Sequence, residues 1–213
     1  KEIVDYIYVM IAKLLSESNI SYIKWDMNRS ITECYSIAYP ADQQGEIFHR
    51  YILGVYDLYE RLTSAFPEVL FESCASGGGR FDPGMLYYAP QGWVSDDSDA
   101  VERLKIQYGT SMCYPLSCMG SQVSVIPNHQ VFRNTPLHTR ANVAYFGTFG
   151  YELDLNKLSD AEIEEVKAQI RFMKEYRELL QFGTFYRLKS PFNGNETVWM
   201  VVSEDKSKAL VGY

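Results

Sequence analysis

Ile20-Ser21-Tyr22-Ile23-Lys24-Trp25-Asp26-Met27-Asn28-Arg29 decides how this chain is read. An apolar, strand-like run, Ile20 to Trp25, ends directly on a carboxylate. A second short run, Gly92-Trp93-Val94, leads into Ser95-Asp96-Asp97. Between them Val69-Leu70-Phe71 leads into the glycine turn Ser73-Cys74-Ala75-Ser76-Gly77-Gly78-Gly79-Arg80. Polar residues thus recur just past the C-terminal ends of buried strands.

The segments between these runs have helical spacing. Ile3, Ile7, Met10, Ile11 and Leu14 predict a helix over 3–15, and Ile47, Tyr51, Leu53, Val55, Leu58 and Leu62 predict one over 46–65, stopped by Pro67. Residues 31–45 read as a loop and 85–89 as a short helix or loop. Ser98 is a candidate cap for a helix from Asp99 to about Tyr108. One or two short strands are expected within 112–126, a helix over 137–146 opened by Pro136, and a strand over 149–155. Ser159-Asp160-Ala161-Glu162 opens a long helix to Leu180. After Gly183 the pattern changes to three antiparallel strands, 185–188, 197–202 and 209–213, turned at Asn193-Gly194-Asn195 and Glu204-Asp205-Lys206. Alternation of this kind predicts parallel βα units, either as part of a (β/α)8 barrel or as a doubly wound sheet. Five such units are too few to close a barrel. Both ends of the sequence fall inside an element, which suggests a segment of a longer protein.

Bulk properties narrow the chemistry. The chain has 213 residues, enough for one substantial core, and 46% of them are hydrophobic. A net charge of −7 argues against nucleic acid or an anionic membrane as the main partner. Cys34, Cys74, Cys113 and Cys118 lack zinc spacing, so free thiols in a reducing, cytoplasmic setting are expected, without metal or cofactor. The glycine turn has neither the GK[ST] of a phosphate loop nor a GxGxxG frame. Aromatic residues reach 15%, with 17 Tyr; they suit sugar stacking and a Tyr-rich core equally well. Two carboxylates in one cleft are the minimum equipment for cutting a glycosidic bond. Alternation puts Lys24 and Asp26 on one side of their strand, where the ammonium would favour the ionised carboxylate that a nucleophile requires. Asp96, Asp97 and Asp99 crowd together, which favours a raised pKa for one of them, as a general acid needs. Each Asp also has an ordinary reading: Asp26 and Asp99 as helix caps, and the cluster as a weak calcium loop.

Taken together, Lys24 to Arg29, Ser73 to Tyr88 and Trp93 to Ser111 resemble the motifs of family 36 glycoside hydrolases, the microbial α-galactosidases. Leu137-His138-Thr139-Arg140 and Phe146 to Leu155 are similar to further segments of that family. The resemblance implies a retaining enzyme that removes terminal α-1,6-linked galactose from oligosaccharides such as melibiose and raffinose. Asp26 matches the nucleophile and Asp96 the acid/base. Lys24 and Asn28 match residues that hydrogen-bond the sugar, Cys74 and Gly77 the pocket beside its 2-hydroxyl, and Trp93 a pocket wall. Trp25 and Arg80, within the same motifs, complete the candidate substrate-binding set. A retaining carboxyl pair sits about 5–5.5 Å apart. The fold implied is a (β/α)8 barrel, with strands four to eight in residues 1–182 and the start of a β-domain in 183–213. On this reading the first three strands, and half of the sugar pocket with them, lie elsewhere. A catalytically silent scaffold, an α-N-acetylgalactosaminidase or a galactosyltransferase are the alternatives. A homo-oligomer is expected, with a tetrameric parent.

Overall fold

Helix α1 (Glu2–Glu17) turns one apolar stripe inward: Val4, Ile7, Tyr8, Ile11 and Leu15 join a core with α2 (Ile47–Ala65). The computed structural model describes residues 1–28, 32 and 34–213, which form two compact units, Lys1–Pro90 and Gln91–Tyr213. In the first unit β1 (Tyr22–Asp26) and β2 (Leu70–Cys74) pair in parallel, with Lys24 opposite Glu72 and Asp26 opposite Cys74. α3 (Pro83–Tyr88) follows, with Pro83 in its first turn and the Asp82 carboxylate accepting from the Met85 N–H at 3.0 Å. Leu62, Phe71 and Met85 are almost wholly buried, and each contributes about 1.5–3 kcal/mol relative to exposure.

The stripe expected on α1 is only partly the buried one. Ile3, Met10 and Leu14 point outward, with Ile3 74% exposed, because the helix carries a second apolar row beside the first. The 31–45 loop is shorter than expected, since Ala41–Glu46 winds into a 3-10 turn before α2.

The second unit opens with β3 (Gln91–Gly92), and its next helix is α4 (Ala100–Thr110). A strand was expected at Trp93-Val94; the pairing instead falls on Gly92, which bridges in parallel to Met119. The Gly120 N–H donates to the Gly92 carbonyl at 2.8 Å. The cap of α4 is Asp99, not Ser98: the Asp99 carboxylate accepts from the N–H groups of Val101 and Glu102 at 3.0 and 3.1 Å. β4 (Gln122–Ser124) pairs in parallel with β5 (Gly150–Glu152), and α5 (Leu137–Ala144) lies between them in sequence. Val123, Leu137, Ala141, Ala144 and Val166 form their common core.

α6 (Asp160–Phe182) begins where expected, at a capping box in which Ser159 and Glu162 satisfy each other's backbone N–H groups. β6 (Thr184–Lys189), β7 (Val198–Val202) and β8 (Ala209–Gly212) form the expected antiparallel sheet, with Trp199 and Val201 buried. The fold is therefore mixed α/β, with parallel pairs and a separate antiparallel sheet. No described helix is long and apolar enough to cross a membrane.

Candidate active site

Asp26 is the last residue of β1, and its exposed side chain lies on the same face as Lys24. Two neighbours hydrogen-bond to it. Asn28 Nδ2 donates to Asp26 Oδ2 at 2.9 Å, and Asn28 Oδ1 accepts from the Ser76 N–H at 2.6 Å. One amide thus ties the carboxylate to the glycine turn after β2. The Cys74 thiol, directly across the strand pair, hydrogen-bonds to Asp26 as well. Burial pushes that thiol up to about 11, and its hydrogen bond to Asp26 acts in the same direction. Cys74 is therefore a protonated S–H donor at neutral pH, not a thiolate nucleophile.

The turn itself depends on backbone freedom. Ser76 and Gly77 have φ of 49° and 72°, in the left-handed region, which brings the buried Gly77 beside Cys74. A Cβ on Gly79 would lie 2.5 Å from the Ala75 carbonyl oxygen, so the third residue of this tight turn must lack a side chain. Arg80 holds the neighbouring loop: its Nη1 donates to the Met27 carbonyl at 2.7 Å, and its guanidinium lies 5.8 Å from the Tyr51 ring centre. Arg29, read beside Asp26 in sequence, lies outside the described residues.

Strand alternation separates Trp25 from this group. Its ring packs on Tyr59 and Phe71 at 5.4 and 6.3 Å, on the helix side of the strand pair. Lys24 reaches across to Glu72 at 3.8 Å. Glu72 is a buried carboxylate that the sequence reading did not single out. The strand expected at Val69–Phe71 stopped one residue short of it, and the clue was a charge standing opposite a charge once β1 and β2 are in register.

In the second unit the Asp96 side chain is exposed, and among the described residues it takes no hydrogen bond or ion pair; its backbone carbonyl accepts from Gln130 Nε2 at 2.7 Å. Its neighbours are committed to the loop. Asp97 Oδ1 accepts from the Asp99 N–H at 3.1 Å, and Asp99 caps α4 while pairing with Arg133. The cluster therefore divides into two structural carboxylates and one presented outward.

Trp93 is buried, with the Arg103 guanidinium 5.0 Å from its ring centre. Arg103 was also missed in sequence. It is only 2% exposed and donates to the carbonyls of Gly120 and Ser95 and to Gln107 Oε1, tying the loop that carries Asp96 to α4. Burial pushes its pKa down to about 10, partly offset by the charges of Asp97 and Glu152. The Trp93 pocket has no slack on one side. A Cβ on Gly120 would lie 2.7 Å from the Trp93 ring and 3.2 Å from the Gly92 oxygen. Gly120→Ala should cost about 1–3 kcal/mol through overpacking. The check is urea unfolding, and an unchanged midpoint would show that the ring moves freely.

All four cysteines are free thiols, and Cys113 and Cys118 form no disulfide. Among the described residues no three His, Cys, Asp or Glu side chains converge to hold a metal ion.

Parallel strand pairs alternating with helices place the chain among mixed α/β proteins. Within that class the chain belongs to the Melibiase family, whose model matches residues 1–183. It is 57% identical to α-galactosidase AgaA of Geobacillus stearothermophilus over 213 residues, all of this chain and 29% of that protein. It is 54% identical to α-galactosidase Mel36A of Lactobacillus acidophilus, over 99% of this chain and 29% of that one. Solved structures of substituted AgaA in complex with raffinose and with stachyose each match with a TM-score of 0.96, covering 99% of this chain and 29% of theirs. The chain thus spans less than a third of these relatives.

Proposed function

We propose that this chain is part of a retaining α-galactosidase that acts on α-1,6-linked galactosides such as melibiose and raffinose. The observation that carries the reading is Asp26. It is an exposed carboxylate at the end of a parallel strand, hydrogen-bonded by an amide and a neutral thiol. In the first step the Asp26 carboxylate attacks the anomeric carbon while the carboxylic acid of Asp96 protonates the departing oxygen. The glycosidic bond breaks and a β-galactosyl ester forms. In the second step the Asp96 carboxylate takes a proton from water, which displaces Asp26 and releases α-galactose. Lys24, Asn28, Cys74 and Gly77 bind the sugar from the first unit, with Arg80 holding the loop that carries Met27.

Two further observations support this assignment. In the raffinose and stachyose complexes of the relative, one Asp is exchanged for Asn and another for Ala. The exchanged positions are separated in that chain by the same number of residues as Asp26 and Asp96 are here. The second apolar row of α1, with Ile3, Tyr6, Met10 and Leu14 exposed, is the kind of face that an adjacent βα unit covers in a closed barrel. On this reading residues 1–182 supply strands four to eight of a (β/α)8 barrel. The antiparallel strands from residue 183 onward begin a C-terminal β-domain. The working enzyme is the full-length protein, a cytoplasmic homo-oligomer.

The test is stereochemical. Proton NMR during hydrolysis of an α-galactoside by the full-length enzyme should show α-galactose first, with the β anomer growing in by mutarotation. First release of β-galactose would replace the ester mechanism with direct attack by water.

A further inference from the structure

Beneath the layer formed by Asp26 and Cys74, the strand pair carries a second polar layer. Lys24 and Glu72 are register partners, and both lie two residues before the catalytic layer on the same face. Glu72 is only 6% exposed, a costly place for a carboxylate. The Tyr22 hydroxyl donates to Glu72 Oε2, and burial together with this bond raises the Tyr22 pKa above its usual range. Glu72 Oε1 takes no hydrogen bond and faces the Lys24 ammonium at 3.8 Å. Tyr22 thus fixes one oxygen, and the other is left with a cation that is itself about one-third exposed.

We infer that Glu72 is a positioning residue of the sugar site, the buried counter-ion that fixes the Lys24 ammonium beneath Asp26. The inference rests on the assignment of Lys24 and Asp26 to the galactose site. The ammonium sits on a flexible four-carbon stem, and a buried charge at the same register limits where that stem can place it. The carboxylate does not touch the substrate. Its effect passes entirely through Lys24, which contacts hydroxyls and not the bond being broken. Such contacts hold ground state and transition state alike, so their loss is read in KM more than in kcat.

Glu72→Gln keeps the shape and an acceptor for Tyr22 while removing the charge. In the full-length enzyme it should raise KM for an aryl α-galactoside roughly tenfold, with kcat within about threefold of wild type. In a Lys24→Met background the same exchange should raise KM no further, because residues that act through one another are non-additive. Glu72→Asp, which keeps the charge but withdraws it by one methylene, runs the same cycle should the amide variant not fold. An unchanged KM, or a full additive loss in the Lys24→Met background, would overturn the inference. Its failure is distinct from failure of the site assignment: retained turnover in Asp26→Ala removes the site itself, whereas a dead Asp26→Ala beside an indifferent Glu72 variant removes only the role of Glu72.

Discussion

Replacing Asp26 with Ala in the full-length enzyme should lower kcat for an α-galactoside by about 10⁴-fold or more, because no ester can then form. The loss should be largely independent of the leaving group. The carboxylate is exposed and framed by side chains that do not need its charge to fold, so expression and melting behaviour should stay near wild type. Truncation leaves a space the size of a small anion. Azide added to this variant should attack the anomeric carbon from the vacated side and give β-galactosyl azide. Substantial hydrolysis without azide, seen with fresh enzyme across a range of substrates, would falsify the nucleophile assignment.

Asp96→Ala should behave differently, and the difference is the diagnostic. Loss of a general acid costs about 10²–10⁴-fold where the leaving oxygen needs a proton, as in melibiose. An aryl galactoside with an acidic phenol departs unaided, so its first step should be nearly intact. The second step loses its base, and the galactosyl ester should accumulate, lowering KM and producing a burst of phenol. Azide needs no deprotonation and should speed turnover of this ester, giving the α-azide by retention overall. Equal losses of kcat/KM, which reports the first step, on melibiose and on the activated aryl substrate would remove Asp96 from the acid role. The loop geometry favours Asp96 over its neighbours, since Asp97 and Asp99 each commit Oδ1 to backbone N–H groups.

What could be read from the residues alone follows the range of the forces involved. The capping box at Ser159 and Glu162 is local, and the long helix α6 starts where its sequence says it should. The antiparallel strands after Gly183 were legible because alternation and turn residues both act over a few positions. β3 was misplaced onto Trp93-Val94 because its pairing depends on partners distant in sequence, and the bridge from Gly92 reaches as far as Met119. α1 was legible as a helix but not in its inward face, since two apolar rows satisfy the same periodicity. Asp26, Cys74 and Asn28 stood out through their motifs, but their shared network required β1 and β2 in register. Glu72 and Arg103 were invisible for the same reason. A buried charge has no signature until its partner is known, and those partners are Lys24 across a strand pair and the carbonyls of Gly120 and Ser95 across a loop.

The neutral thiol of Cys74 has a consequence for chemical durability. Oxidants and electrophiles react with the thiolate, and a thiol held up at about 11 exposes almost none of it at physiological pH. The burial that makes Cys74 a hydrogen-bond donor to Asp26 therefore also slows its passage to sulfenic acid. Here its protection comes from the packing of the strand pair, independently of the redox state of the surroundings.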